Sequence, residues 1–418
     1  MKNQYDLVIV GAGVVGTTLA LALASLPLRV ALVEQVDFKR SSSTPVGAVS
    51  KPFALNYASI RLLKTLIPWS VLVDQASPIE TVHVSEQGRF GALRIKAHEF
   101  GMAALGYVIP SVQLAAVGIQ LLLQLSKKPL ATGFSLDLLT PAECKAISKT
   151  ANGWEALVLD SAGTQLKIQT HLLIGADGSD SNIRKLAGII TREQSPEEQL
   201  ALVATLAPVR SHRQIAYQRF TANGILACLP LLANRVGLVW TGSLPLIQSL
   251  QSITEADFMT RLQAVFAGYL GKFTLSSPRA IYPVNSFIAE PQAEPGLILL
   301  GNAAHTLLPI AAQGLNLALQ DMAVLVDIIT ATLQAKKKLS SATLGETYLA
   351  ARLPIQKKWV ARTKQLQWLF KQTFTPLTWL RNKGLLAVDL LPPLKKNIVP
   401  RLVGIHDRLP NWVRGMAQ

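Results

Sequence analysis

The chain opens on an apolar run, Tyr5 to Val10, that stops at glycine and resumes at Val14 with apolar positions spaced as on a helix. The pattern predicts a strand, a tight loop, a helix over about Val14 to Ala24 and a second strand over Arg29 to Val33, which together make one βαβ unit. A helix is expected over Ala54 to Leu66 and another over Ser111 to Leu125, with strands at Ile79 to Val84 and Gly91 to Ile95 joined by a turn at Gly88. Trp154 to Leu159 and Gln165 to Gln169 alternate as a meander does, and His171 to Ile174 reads as a buried strand entering GADGSDSNIR. Between Leu200 and Gly242 the runs ALVATL, QIAYQRF and VGLVWTG predict a mainly antiparallel sheet. A strand at Gly296 to Leu300 then passes through a turn with Pro309 and Gly314 into a long apolar helix reaching about Ile329. From about Gly345 the tail is expected to be helical and broken by Pro354, Pro376, Pro392, Pro393 and Pro400.

Chemistry enters first at the loop GAGVVG. Its spacing fits a dinucleotide fingerprint, with Gly11 for the turn, Gly13 for close approach of a pyrophosphate and Gly16 for packing of the helix on the strand. Glu34 ends the second strand 23 residues after Gly11, where a carboxylate would accept the hydroxyls of an adenosine ribose. The loop leaves NAD and FAD equally open. The stretch GNAAHTLLPIAAQGLNLALQD, Gly301 to Asp321, supplies a second helix start whose N–H groups and dipole suit an anionic ligand.

Composition narrows the class further. Half of the 418 residues are apolar and the mean hydropathy is positive, so a large core and two or three domains are expected. Cys144 and Cys228 lie far apart, which excludes a disulfide framework or thiolate metal site and fits a reducing compartment. The six histidines, His83, His98, His171, His212, His305 and His406, have no metal-like spacing, and no metal is expected. Lys2 followed by an apolar run ending in ALASLP has some features of a secretory signal, but Asp6, the loop glycines and the strand-like YDLVIV argue against one. No window of about 20 residues is free of polar interruption, so no membrane span is expected.

The net charge of +16 is unevenly placed, because Ala351 to Gln418 carries 13 Lys and Arg residues against only Asp389 and Asp407. The same segment holds Trp359, Trp368, Trp379 and Trp412 among many leucines. Cations interleaved with Trp and Leu suit an anionic membrane surface, while a solvated basic helix pair is the simpler alternative. Nucleic acid fits less well, since the aromatics accompany large aliphatics and not a polar groove.

GAGVVG with Glu34, Gly175-Ala176-Asp177-Gly178 with Ser181 and Arg184, and the stretch from Gly301 together resemble the FAD-dependent aromatic hydroxylases of the para-hydroxybenzoate hydroxylase type. The resemblance spans nearly the whole chain and is closer to the ubiquinone-biosynthesis branch, on ALNYAS at 54–59, ETVHVSEQG at 80–88, AALGYVI at 103–109 and RFTANGILACLPL at 219–231. VHVSEQG and GNAA are most similar to the enzymes of that branch acting on a 2-polyprenyl-6-methoxyphenol. It implies an α/β fold: a Rossmann-like FAD-binding domain (1–74, 101–184 and 283–345), an inserted mainly antiparallel substrate-binding domain (75–100 and 185–282) and a basic helical C-terminal segment (346–418).

By the same resemblance Gly11, Gly13, Gly16 and Glu34 hold the ADP half of FAD, and Asp177 with Gly178 lies near the pyrophosphate and ribose. Gly301 passes close to the cofactor, Pro309 lies beside the flavin ring, and Gln313, Gly314 and Asn316 bring a helix start to its pyrimidine edge. Asn302 stands where the family usually has Asp, Ala312 and Ala318 where it has Gly, and Lys51 where an Arg contacts the cofactor phosphate or the incoming nicotinamide nucleotide. His305, inside the flavin motif, is a weak candidate for direct catalysis.

The implied reaction is hydroxylation of a polyprenylated phenol in ubiquinone biosynthesis through a flavin C4a-hydroperoxide, with NADH or NADPH as electron donor and O₂ as co-substrate. A protein of this kind would sit on the cytoplasmic, inner face of a membrane, with other ubiquinone-biosynthesis proteins as possible partners. A flavoprotein of the same fold acting on another aromatic or isoprenoid substrate, and a non-catalytic member of a membrane-associated biosynthetic complex, are the alternatives.

Overall fold

The computed structural model describes residues 3–38, 50–193, 199–266, 268–310, 312–372 and 374–405. Arg40, the SSSTP run and Trp412 lie outside these residues. The βαβ unit forms as read: Gln4–Val10, helix Val14–Ala22 closing in a 3-10 turn, then Arg29–Val33. These strands belong to a parallel sheet in the order Leu297–Leu299, Gln165–Gly175, Gln4–Val10, Arg29–Val33, Ser135–Leu139.

Each face of that sheet buries one set of alternating residues. Leu7 and Ile9 join Leu172, Ile174 and Ile298 under the helices, with Leu19, Leu319 and Met322. Val8 and Val10 join Leu173, Leu297 and Leu299 on the other face, against Trp154, Ala156 and Val158 of the meander. Each such fully buried side chain contributes about 1.5–3 kcal/mol of transfer free energy.

Several expectations need correction. The segment Ala54 to Leu66 is not one helix: Pro52–Asn56 is a strand and the helix is Tyr57–Leu66. Asn56 causes the switch, because its side chain accepts a hydrogen bond from Ser59 N at 2.9 Å and caps the helix. Gln165 to Ile174 is a single strand, Gln165–Gly175, whose first half pairs with Gly153–Asp160 and whose second half pairs with Gln4–Val10. Pro354 lies inside a continuous helix, Ala342–Lys371, and does not end it. Pro376 and Pro392 do open helices, Thr375–Leu390 and Pro392–Leu402, where the missing N–H costs nothing. Helix Gln313–Gln334 is long and apolar enough to cross a membrane by composition, yet Leu319, Met322, Leu325 and Ile329 spend its apolar face on the sheet.

The second large sheet runs Phe273–Leu275, Gln199–Pro208, Arg235–Ser243, Gly224–Leu231, Ile215–Thr221, Thr81–Glu86, Ala92–Lys96. Its pairs are antiparallel except Ile215–Thr221 with Thr81–Glu86, where the first hairpin is added in parallel. Helices Leu244–Ser252 and Glu255–Phe266, which the pattern did not announce, cover one face through Ile247, Leu250, Phe258 and Phe266. The other face presents Ala201, Phe220, Ile225 and Val284 to Leu308, Ile310 and Phe370. A small sheet joins Ile190–Glu193 to Phe287–Glu290 and His305–Thr306, so the start of the inserted segment is hydrogen-bonded to the third motif. Cys144 and Cys228 are buried apart in the two sheets, and burial pushes the Cys144 thiol up to about 12.

His83 is buried on the helix-covered face, against Tyr217 and Tyr269, with neither ring nitrogen hydrogen-bonded. Burial, and then Arg94 and Arg219, push its pKa from 6.5 down to about 4. Neutral in the fold, the ring gains a proton on unfolding between about pH 4 and 6.5. Stability is therefore expected to fall as pH drops from 6.5 to about 4, by about 3 kcal/mol in full from this group. Urea unfolding of the wild type and of His83→Leu at neutral and acid pH should show the smaller loss in the variant.

Candidate active site: the FAD groove and its apolar wall

The first loop is built by backbone contact. Gly11 has φ +103°, and a Cβ there would stand 2.5 Å from Ala176 O, so only glycine lets the first two motifs touch. A Cβ on Gly16 would stand 1.9 Å from Gly11 O, which is the price-free reason for the third glycine. Gly13 differs: its φ is −63° and an added Cβ would meet nothing within 4 Å. It opens the helix Val14–Ala22 with no side-chain cap, so first-turn N–H groups face open space. Glu34 closes the far side, accepting from Ala12 N at 2.6 Å and Val36 N at 2.8 Å.

The second motif is fastened to the third. Asp177 accepts from Ser181 Oγ at 2.5 Å and from Ile183 N at 3.0 Å, and Ser181 in turn caps the short helix Asn182–Leu186. Arg184 is buried there and donates to Ala303 O at 3.0 Å and Ser179 O at 2.8 Å. Gly178, with φ +88°, has room for a Cβ but not the backbone for one. Gly301, at φ +62°, lies against Val15 of the first helix, within 3.2 Å of where a Cβ would be.

Beyond Gly301 the residues take unequal roles. Asn302 is exposed, and its motif turns at once into His305, which is 1% exposed and points away from solvent. His305 Nε2 donates to Asp321 Oδ2 at 2.6 Å. Asp321 is fully buried and also accepts from Arg352 Nε at 2.5 Å and Gln356 Nε2 at 2.9 Å. Burial opposes its charge, but Arg352 and His305 outweigh it and hold the carboxyl below its usual range. His305 is thus a positioning residue for this loop. Pro309 is half-buried between Leu308 and Ile310, which pack on the second sheet.

Helix Gln313–Gln334 also lacks a side-chain cap. Ala312 holds the left-handed conformation at its start, φ +50°, a strain of about 1–2 kcal/mol for a residue with a Cβ. Asn316 spends its whole side chain on placing that start: it accepts from Asn56 N at 2.9 Å and donates to Ala54 O at 3.0 Å and Ala312 O at 2.6 Å. Gln313 is buried, and Gly314 leaves open space. Lys51 is set differently: its ammonium stands 3.7 Å from the ring centroid of Tyr282, on the second sheet.

Two uncapped helix starts, a carboxylate at the end of the second strand and a glycine with room beside it meet where Gly301 lies against Val15. The FAD binding domain family matches residues 4–363. The chain belongs to that family. The ubiquinone hydroxylase UbiL of Rhodospirillum rubrum is 31% identical over 98% of this chain and 93% of its own. The 3-demethoxyubiquinol 3-hydroxylase of Escherichia coli is 28% identical over 97% of this chain and 100% of its own. Among solved structures, p-nitrophenol 4-monooxygenase PnpA from Pseudomonas putida shares the fold, with a TM-score of 0.76 over 98% of this chain and 100% of that one at 15% identity.

In this FAD-binding protein the cofactor is FAD, as expected, and the groove fits it. Glu34 would offer its carboxylate to the ribose, and the uncapped helix starts after Gly13 and Ala312 would offer amides to the pyrophosphate and the flavin edge. Residues that the sequence reading gave no role are Asn56, bonded to Asn316, and Arg352 and Gln356, bonded to Asp321, which fix the segments around the helix start at Gln313. Arg352 and Gln356 are four apart on one helix, a spacing that marks a shared face without saying what it meets.

The two loop glycines should therefore fail differently. Gly13→Ala is expected to fold with an unchanged melting temperature as apoprotein yet bind FAD at least about tenfold more weakly, read by flavin fluorescence titration. Gly11→Ala is expected to lose the fold itself, read by circular dichroism.

Proposed function

We propose that this protein is an FAD-dependent monooxygenase that hydroxylates the ring of a polyprenylated phenol on the route to ubiquinone, working at the cytoplasmic face of an anionic membrane. The observation that carries the reading is the apolar face of the second sheet, Ala201, Phe220, Ile225 and Val284, packed on the Leu308 and Ile310 that flank Pro309. A dry wall beside the flavin suits an electron-rich ring and excludes water from it. FAD, reduced by NADH or NADPH, supplies the activation of O₂ when bound. The protein's own residues bind and orient: the glycine loop and Glu34 hold one end of the cofactor, and Asn316, pinned to Asn56 and Ala54, sets the helix start at the other. The relatives quoted above are named for ubiquinone-type substrates, which supports the polyprenylphenol class, and a 2-polyprenyl-6-methoxyphenol is the first substrate to try.

The purified protein is expected to be yellow and to oxidise NADH or NADPH faster when a prenylated phenol is added, with one oxygen gained by the ring in mass spectrometry. A yellow protein with no stimulated oxidation and no oxygenated product would instead favour the non-catalytic member of a complex.

The membrane reading draws support from the tail. Trp368, Phe374, Trp379, Leu380 and Leu390 are each between 59 and 68% exposed, with Lys364, Lys383 and Lys396 exposed among them. Not all of the tail's charge and aromatic surface is turned outward. Arg352, Arg381 and Lys395 are buried in ion pairs with Asp321, Glu86 and Glu99, and Trp359 packs beside Ile288 and Leu317. Deleting residues from about Ala351 would therefore unfold the protein. Surface substitution avoids this: Trp379→Ser with Leu380→Ser is expected to keep the melting temperature and weaken sedimentation with anionic liposomes about tenfold.

A further inference from the structure

A cavity of about 180 Å³ lies between the hairpin turn at Thr221–Gly224 and the end of helix Ala342–Lys371. Whole ligand sites usually measure about 300–1,000 Å³, so this space suits part of a molecule. Its floor is Phe220, Ile225 and Phe370, the residues that continue through the apolar cluster to Leu308 and Ile310 beside Pro309. Thr221 and Thr241 also line it, but their hydroxyls donate to Gly224 O at 2.9 Å and Ile225 O at 3.1 Å, leaving the methyl groups as what they offer a ligand.

Phe220 and Phe370 stack face to face, with centroids 3.6 Å apart and planes inclined by 11°. Phe220 comes from the second sheet and Phe370 from the tail. The Phe370 ring is held from its other side by the Arg381 guanidinium, 4.9 Å from the centroid, which Glu86 fixes in turn. On either side of Phe370 the chain carries the exposed Trp368 and Phe374.

We propose that this cavity receives the hydrocarbon chain of the substrate and that the Phe220–Phe370 pair sets the boundary between the chain and the ring being oxidised. The inference rests on the polyprenylphenol reading and deepens it: the ring lies against the Leu308–Ile310 loop, and the chain leaves past the stacked pair towards the apolar surface of the tail. The tail helix is then part of the substrate site as well as of the outer surface. Gln199, Asn223, Gln367 and Lys371 complete the lining, and the hydrocarbon would rest on the apolar floor between them, a contact made in both the ground and transition states that shows in KM more than in kcat.

The test uses the full-length, FAD-loaded protein and a phenol bearing a farnesyl-length chain with a diazirine at its far end. Photolysis followed by peptide mass spectrometry is expected to place the label within residues 220–225 or 367–371. Ser243 lines the rim, is exposed and makes no side-chain cap to the helix it precedes, so Ser243→Trp fills the cavity without disturbing the core. That variant is expected to lose the label and to raise KM for the prenylated phenol about tenfold while leaving KM for the same phenol without its chain within about twofold. A label confined to other peptides, or a variant that alters both phenols alike, would overturn the proposal. A correctly placed label on a protein that hydroxylates neither phenol would uphold the chain site and refute the hydroxylase reading.

Discussion

One buried carboxylate ties the molecule together. Asp321 sits fully buried in the long apolar helix Gln313–Gln334 and receives hydrogen bonds from three side chains on two other segments, His305 and the pair Arg352 and Gln356. A charge in that position has lost its water and can persist only while its partners stay in place. Replacing a whole buried set of this kind with well-packed apolar residues is often neutral for stability, whereas removing one partner strands the rest, at about 3–5 kcal/mol. Specificity is the gain: the loop after Gly301, the helix behind it and the helix Ala342–Lys371 have one mutual arrangement that brings all three side chains onto the carboxylate.

That arrangement makes the C-terminal helices part of the catalytic body. Tyr348 fills the core beneath the parallel sheet, Arg381 and Asn382 hold Glu86 on the edge of the second sheet, and Gly404 passes within contact of Ala58 and Gln320. Asn56 links these ends again, capping its own helix, binding Asn316 through its amide and donating to Leu402 O at 3.4 Å. The flavin-edge helix start is therefore held from one side by the strand before it and from the other by the tail. A surface event at the tail would have a short mechanical path to the cofactor groove.

Much of this was legible along the chain. The βαβ unit, the three motifs and the antiparallel region follow from local periodicity and glycine spacing, because strands, helices and phosphate loops impose them residue by residue. The errors fall where local pattern carries no vote. PFALN continues the apolar run of the helix after it, and only its pairing with Gly106–Pro110 makes it a strand. Pro354 breaks a helix on propensity, but Arg352 and Gln356 on either side are anchored to Asp321, and that packing carries the helix through it. Lys51, which the resemblance puts where a cation meets the cofactor phosphate or the nicotinamide nucleotide, also stands over an aromatic ring from a strand more than 200 residues away, a contact that no local pattern records.

What the sequence by itself determined is the chemistry on offer: a dinucleotide groove, a flavin-type third motif, a basic tail rich in Trp and Leu. Those rest on residue types at short spacings, which a linear reading can see. Only the tertiary structure decided how the charges and rings are spent. Arg352, Arg381 and Lys395 turn inward while their neighbours stay in solvent, His305 is bonded to a buried carboxylate, and Phe370 of the tail helix meets Phe220 of the second sheet. The physical reason is that burial and pairing are properties of neighbours distant in the chain, and no spacing along the sequence records them.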